Sequence, residues 1–222
     1  MFRNIDLNEI SDGNRYHAND LVRADCGGCQ GCSACCHGMG DTILLDPYDM
    51  DQLRKGSGYS PQELFYQAVE LSVVDGIILP HLKMTADHDC CPFLSDEGRC
   101  TIHSFRPGFC RLFPLGRIYE NGSFSYFLQT NECKKIHRSK VRIKKWLGIP
   151  DLSRYETFVC TWHYLLRDLQ EHIARTSDES YQKQISMYIL QTFFLTPYPK
   201  DSFYEIFTQR YEECQKIFHL HS

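Results

Sequence analysis

Hydrophobic residues recur at helical spacing through the last third of the chain. Between Leu152 and Ile173 they return at alternating steps of three and four residues, which places them on one face of a long helix. The run from Phe203 to Phe218 has the same period, and a further apolar stretch around residues 181–195 lies between the two. We therefore expect residues 138–222 to form a helical region that packs on the rest of the chain.

Two start signals predict shorter helices nearer the amino terminus. Asp46 followed by Pro47 supplies a cap and a first-turn proline, and this helix should end at the Gly56-Ser57-Gly58 segment. Ser60-Pro61-Gln62-Glu63 has the same features together with a capping box. It predicts a second helix that continues to about Leu71.

Strand patterns are short. The strongest is a hairpin signal, Asn121-Gly122, flanked by alternating runs at residues 115–120 and 123–128. Thr42–Leu45 predicts a short strand, and residues 73–79 are rich in β-forming side chains but are interrupted by Asp75-Gly76. The chain is therefore expected to be α+β and mainly α, with a cysteine-rich metal-centred core, a short β-hairpin and a carboxyl-terminal helical bundle.

Composition sets the class of protein. A hydrophobic content of 42% and a net charge of -4 exclude a disordered chain and give no overall attraction to nucleic acid or membrane. No apolar run approaches the roughly 18 to 20 residues of a membrane span, and the polar amino terminus resembles no signal or transit peptide. We expect a cytoplasmic protein with one domain, residues 1–222, in which residues 26–135 bind metal and the helical region packs on them.

Twelve cysteines in a reducing compartment indicate metal or redox chemistry. Cysteines two residues apart can turn both sulfurs to one point, as zinc needs at about 2.3 Å. Iron–sulfur clusters use the same thiolate ligands. Four cysteines near the amino terminus have the spacing of bacterial ferredoxins, but His37 replaces the usual proline, and the chain has no second copy of this cysteine run. The first group is a C-x-x-C-x-x-C-C run with one cysteine three residues ahead of it: Cys26, Cys29, Cys32, Cys35 and Cys36.

A second group of cysteines follows in an ordered series of motifs. Cys91-Pro92-Phe93-Leu94 is followed by Gly98-Arg99-Cys100-Thr101-Ile102, by Arg106-Pro107 and by Cys110-Arg111-Leu112-Phe113-Pro114. With the first run, the series resembles the CxxCxxCC, or YkgJ-like, family of zinc- or iron-chelating proteins over roughly residues 26–135. The resemblance implies eight metal ligands: Cys29, Cys32, Cys35, Cys36, Cys91, Cys100, Cys110 and Cys133.

The chain departs from the family pattern at several positions. Cys26 and Cys90 are additional, His103 stands where tyrosine is common, and Lys134-Lys135 follows Cys133 in place of Pro-Gly. Eight thiolates suffice for two four-cysteine centres, or for one cluster and a mononuclear ion, and both arrangements stay open. Because such centres carry negative charge, we expect nearby arginines to face them, namely Arg106 and Arg111.

The remaining candidates have ordinary interpretations. Cys160 and His163 are one helical turn apart, a spacing more typical of packing than of ligation, and Cys214 falls on an apolar stripe as a small core residue. His37, His88 and His103 are expected to be neighbours of ligands. We interpret a basic run that ends at Trp146 as one solvated face of a helix rather than a nucleic-acid site: Lys134, Lys135, Arg138, Lys140, Arg142, Lys144 and Lys145.

Three functions are compatible with these motifs. The favoured one is an iron–sulfur protein, with a [4Fe–4S] cluster, that has a redox or protein-modification accessory role and acts with a protein or redox partner. An iron–sulfur oxidoreductase is one form of it, although the sequence assigns no catalytic residue. The alternatives are a zinc-stabilised interaction module and, from a distant branch of the family, a protein-lysine methyl-transfer enzyme of the flagellin-modifying type.

Overall fold

The computed structural model describes residues 7–27, 32–135, 137–176 and 178–220, without the side chains of Leu7 and Asn8. Cys29 lies outside the described residues. The α-helices in chain order are α1 Leu7–Ile10, α2 Pro47–Ser57, α3 Pro61–Gln67, α4 Gly108–Leu112, α5 Ile143–Leu147, α6 Leu152–Thr176, α7 Glu179–Ile189 and α8 Phe203–Ile217. The strands are β1 Leu21–Asp25, β2 Val69–Val74, β3 Ile77–Leu82, β4 Leu115–Glu120, β5 Ser123–Leu128 and β6 Ser139–Arg142.

Capping boxes start α2 and α3, as predicted. At the start of α2 the Asp46 side chain accepts the N–H of Asp49, and the Asp49 side chain accepts the N–H of Asp46. Ser60 and Glu63 make the same reciprocal pair at the start of α3. The second helix ends at Gln67 rather than near Leu71, because the residues after it pair with β3 as strand β2.

Within the described residues, the six strands form three antiparallel pairs. β4 and β5 form the expected hairpin, with positive φ angles at both turn residues, 51° at Asn121 and 74° at Gly122. β2 and β3 form a second hairpin whose turn is Asp75-Gly76, so these residues reverse the chain rather than merely interrupting a strand. Thr42–Leu45 is not a strand; its Leu44 makes one isolated bridge to His81.

The pairing of β1 with β6 was not predicted, and it corrects the interpretation of the basic run. Val22 lies opposite Val141, and both side chains are buried. Lys140 and Arg142 point outward on either side of Val141, which is the period-two pattern of a strand. The prediction of one helix face is therefore wrong for residues 139–142, and helical structure begins only with α5.

The carboxyl-terminal region is helical, as expected, and aromatic rings fill its interior. Phe158 of α6 contacts Phe207 of α8 with ring centroids 4.6 Å apart, and Trp162 contacts Phe193 at 5.1 Å. Phe193 lies in a π-helical turn, Leu190–Leu195, that continues α7. Cys214 is fully buried, in agreement with a role in the core. None of the described helices is long and apolar enough to cross a membrane.

Ser186 of α7 attaches the β2–β3 hairpin to the helical region. Its hydroxyl accepts the N–H of Ile78 at 3.2 Å, and Ser186 is only 1% exposed. We expect Ser186→Ala to lower the free energy of unfolding by about 1–2 kcal/mol, because the Ile78 N–H is left buried without an acceptor. Urea unfolding measures this loss. Ser180→Ala, at an exposed position of the same helix, is the control and should change the stability by less than about 0.5 kcal/mol.

Candidate metal centre

Six cysteines from separate segments line one cavity of about 90 Å³, which we call the main thiol cavity. Arg99, His103 and Arg106 also line it, beside apolar side chains such as Ile43 and Phe109. The structure therefore brings together six of the eight cysteines that the family resemblance implied as metal ligands. Its cysteines are Cys32, Cys35, Cys36, Cys91, Cys100 and Cys110.

Backbone hydrogen bonds join the first cysteine group to the second. The N–H of Cys91 donates to the carbonyl oxygen of Cys36 at 2.8 Å, and the N–H of Gly38 donates to that of Asp89 at 2.9 Å. These bonds flank an isolated bridge between His37 and Cys90. The turn at residues 34–36 is thus fixed directly against the segment that carries Cys91.

Cys100 returns to the same place through a short reversal of the chain. Leu94 and Cys100 form an isolated antiparallel bridge, and the N–H of Thr101 donates to the carbonyl oxygen of Phe93 at 2.8 Å. The N–H of Ser95 donates to the carbonyl oxygen of Arg99 at 2.8 Å, and the N–H of Arg99 donates to the Ser95 hydroxyl at 3.4 Å. Cys91 and Cys100 are therefore held on neighbouring stretches of backbone.

Asp49 of α2 fixes α4, the short helix that carries Cys110. Its carboxylate accepts the N–H of Gly108 at 2.6 Å, in addition to closing the capping box of α2. Arg111 donates from its guanidinium to the carbonyl oxygens of Ser104 and Arg106, and so holds the loop before α4. Arg106 lines the main thiol cavity, as expected, whereas Arg111 is not among the residues that line it.

The thiols lie close enough to perturb each other's ionisation. A hydrogen bond with Cys36 lowers the pKa of Cys35 to about 7, and the charge of Arg106 acts in the same direction. The same hydrogen bond raises the pKa of Cys36. Burial raises the pKa of Cys91 to about 11 and also raises that of Cys110, and in both cases the neighbouring thiols add to the effect.

This set of donors fits a soft metal. Several adjacent buried thiolates repel each other, and a bound cation offsets that repulsion and favours their deprotonation. Among the described residues, however, no three His, Cys, Asp or Glu side chains converge as a ready group for one ion. The six thiols instead line the main thiol cavity.

Cys133 lies on a different, smaller cavity of about 30 Å³, the second thiol cavity, together with Cys26. Cys32 and Cys35 line both cavities, as do Phe113 and Trp146. The indole N–H of Trp146 donates to the carbonyl oxygen of Phe113 at 3.2 Å. Cys133 therefore does not line the main thiol cavity, although the two cavities share these four residues.

The other candidates lie apart from the main thiol cavity. The Cys90 thiol is paired with the Thr85 hydroxyl at 3.3 Å. The Cys160 thiol donates to the carbonyl oxygen of Gly122 at 3.2 Å, and the His163 ring stacks on Tyr119 with centroids 3.7 Å apart. Sequence reasoning missed the role of Asp49, since nothing in a capping pattern indicates a second contact far along the chain.

Comparison with known proteins identifies one family. Residues 28–141, just over half of the chain, match the family model CxxCxxCC, described as "Putative zinc- or iron-chelating domain". Neither the curated proteins nor the solved structures gave a match. The matched range contains every cysteine that lines the main thiol cavity, but it begins after Cys26.

Proposed function

This chain belongs to the CxxCxxCC family, and we infer that its main thiol cavity binds an iron–sulfur cluster with a redox or protein-modification accessory role. The family description covers zinc and iron alike, so the choice between them depends on the arrangement of the donors. The observation that carries the proposal is the set of six cysteines, from separate segments, that line one cavity.

The number of the thiols favours a cluster over a single ion. A zinc ion needs four donors within about 2.0–2.3 Å of one centre. In a cubane cluster each iron takes one thiolate, so the ligands lie further apart around a larger body. Cys35, Cys36, Cys91, Cys100 and Cys110 line one cavity and perturb one another's ionisation, so more thiols than the four of a single zinc site lie near one another.

Residues around the cavity would tune such a cluster. When bound, an iron–sulfur cluster supplies one-electron transfer, with a potential set by nearby charge, hydrogen bonds and solvent exposure. Arg106 lines the cavity and lowers the pKa of Cys35, so it offsets negative charge at the thiolates. The apolar side chains of Ile43, Phe93 and Phe109 limit water around the sulfurs.

A group of exposed basic side chains lies on the sheet of β1 and β6 and on α5. Arg23 of β1 and Lys140 and Arg142 of β6 are exposed on one sheet face, and Lys144 and Lys145 follow on α5. No ion pair engages these five side chains within the described part of the chain. A local basic surface on a protein of net charge -4 suits an acidic partner protein, and we propose that the redox or modification partner docks here.

Metal and acid-labile sulfide analysis of anaerobically purified protein tests the cluster. We expect about four iron and about four sulfide per chain and a brown chromophore that bleaches on reduction. Stoichiometric zinc without sulfide would contradict the proposal. Reconstitution with iron and sulfide under anaerobic conditions is the control for a cluster lost during purification, and a colourless product after reconstitution would also contradict it.

A zinc-stabilised interaction module is the second candidate, and the second thiol cavity favours it. A volume of about 30 Å³ holds about two waters, which is room for a single ion but not for a cluster. Cys26, Cys32 and Cys133 supply thiols there, and Lys134 and Lys135 offset their charge. Zinc without sulfide, together with a lower melting temperature after chelation, would establish this role instead.

A further inference from the structure

A third cavity, the Arg117 cleft, is distinct from the two thiol cavities. It is bounded by the start of α2, by β4, by the β2–β3 hairpin and by α6, and its volume is about 160 Å³. None of the residues that line it lines either thiol cavity. Its lining combines an acid, a guanidinium, a phenol, an imidazole and an amide with apolar walls: Asp46, Arg117, Tyr119, His163 and Gln170, with Leu44, Leu45, Val74, Leu79, Val159, Trp162 and Leu166.

Arg117 carries a positive charge into this cleft without a carboxylate partner. Its guanidinium lies 5.5 Å from the ring centroids of both Phe124 and Tyr155 and donates to the Tyr155 hydroxyl at 3.3 Å. Its Nε is shielded from solvent and has no hydrogen-bond partner, and no ion pair engages it among the residues described. A guanidinium withdrawn from water in this way favours an anion that can accept its planar donors.

Asp46 supplies the opposite charge to the same cleft. One oxygen of its carboxylate caps α2 by accepting the N–H of Asp49 at 2.8 Å. Burial raises the pKa of Asp46 well above its ordinary value, the charge of Asp49 adds to this, and Arg117 acts in the opposite direction. Asp46 and Arg117 therefore interact electrostatically but form no ion pair, and a cation bound beside Asp46 would favour its charged form.

The rest of the cleft suits a compact molecule with an apolar part. Its walls are mostly aliphatic, and the His163 ring is held flat against Tyr119 by stacking at 3.7 Å. Burial lowers the pKa of His163 to about 4, so the ring is neutral near neutral pH and does not compete with Arg117 for an anion. The volume of about 160 Å³ is more than ten times the about 10–15 Å³ that one water requires.

We propose that the Arg117 cleft binds a small zwitterion of the α-amino acid class with an aliphatic side chain. The carboxylate pairs with Arg117, the ammonium pairs with Asp46, and the side chain lies along the aliphatic walls. This arrangement gives the Arg117 guanidinium an anion and the Asp46 carboxylate a cation, and the aliphatic walls of the cleft contact the side chain of the ligand. The assignment is independent of any metal in the thiol cavities.

Three matched probes test the class of ligand: L-leucine, isovalerate, which lacks the ammonium, and isoamylamine, which lacks the carboxylate. Isothermal titration calorimetry of the full chain should give saturable binding of L-leucine, at least about tenfold tighter than either analogue, because each lost charge-assisted hydrogen bond costs at least that much. Absence of saturable L-leucine binding would overturn the proposal. Equal affinity for L-leucine and isovalerate would do so too.

Asp46→Asn then tests the ammonium partner without removing the helix cap, since asparagine caps helices as well as aspartate does. The variant should lose the preference for L-leucine over isovalerate while it keeps the stability of the wild type. Asp178→Asn, at the cap of α7 and outside the cleft, is the matched control and should leave all three affinities unchanged. A full L-leucine preference in Asp46→Asn would show the assignment of Asp46 to be wrong.

Discussion

Replacing Cys110 by serine is expected to strip the main thiol cavity of its metal. Cys110 is enclosed by protein, and the charges of Cys91, Cys35 and Cys100 all act on its thiol, which places it among the other donors. A serine hydroxyl does not ionise near neutral pH and is a poor ligand for soft metals. The loss of affinity should therefore exceed the about 10–100-fold that removal of an outer-shell partner costs.

Metal content per chain, measured by atomic emission on anaerobically purified protein, checks this expectation. Cys160→Ser is the matched control, because its thiol donates to the carbonyl oxygen of Gly122 and lies outside both thiol cavities. It should retain the metal content of the wild type. Full metal content in Cys110→Ser would mean that the centre is built without α4, and a circular dichroism spectrum separates this result from misfolding.

Gly108→Ala should be the most destabilising single methyl addition in the region of the site. A Cβ at this position would lie 2.3 Å from the Tyr155 hydroxyl oxygen, and Tyr155 is fully buried, so its ring has no room to move aside. The backbone at Gly108 does not require glycine, because its φ is not in the left-handed region. We expect a loss of about 3 kcal/mol in the free energy of unfolding, measured with urea, from overpacking and from strain on the bond to Asp49.

A double-mutant cycle with Tyr155→Phe identifies the cause. Without the hydroxyl, the nearest remaining atoms lie 3.4 Å away on Asp49 and 3.6 Å away on the ring, which are ordinary contacts. Gly108→Ala should therefore cost less than about 1 kcal/mol in the Tyr155→Phe background. An unchanged cost would mean that the steric explanation is wrong. Because Gly108 begins the helix of Cys110, the single variant should also weaken metal retention.

Local signals predicted much of the fold. Asp46-Pro47 and Ser60-Pro61 each start a helix within one turn of sequence, and Asn121-Gly122 adopts the positive φ angles that close a hairpin. The long apolar face from Leu152 is confirmed in α6 because its period extends over 25 residues. In each case the residues that give the sequence signal also make the local contacts that form the element, so tertiary packing does not change the predicted local structure.

Long-range pairing was the part that sequence could not supply. β1 lies opposite β6, more than one hundred residues later, and the alternation in Lys140-Val141-Arg142 is too short to distinguish a strand from a helix face. Sequence also gave no sign that the guanidinium of Arg111 donates to backbone carbonyl oxygens in its own loop. Spacing likewise gave no sign that Cys133 lies on the second thiol cavity rather than on the main one.

The pairing of Asp25 with Ser139 also sets an order of events during synthesis. A ribosome that adds 5–20 residues per second needs about 6–23 s to pass from the first strand to the second. For most of that interval Cys32, Cys35 and Cys36 have been synthesised, while the strand that pairs with β1 does not yet exist. The first thiols therefore precede the sheet that forms beside them, and we expect any metal that they bind to enter the site after β6 has been synthesised.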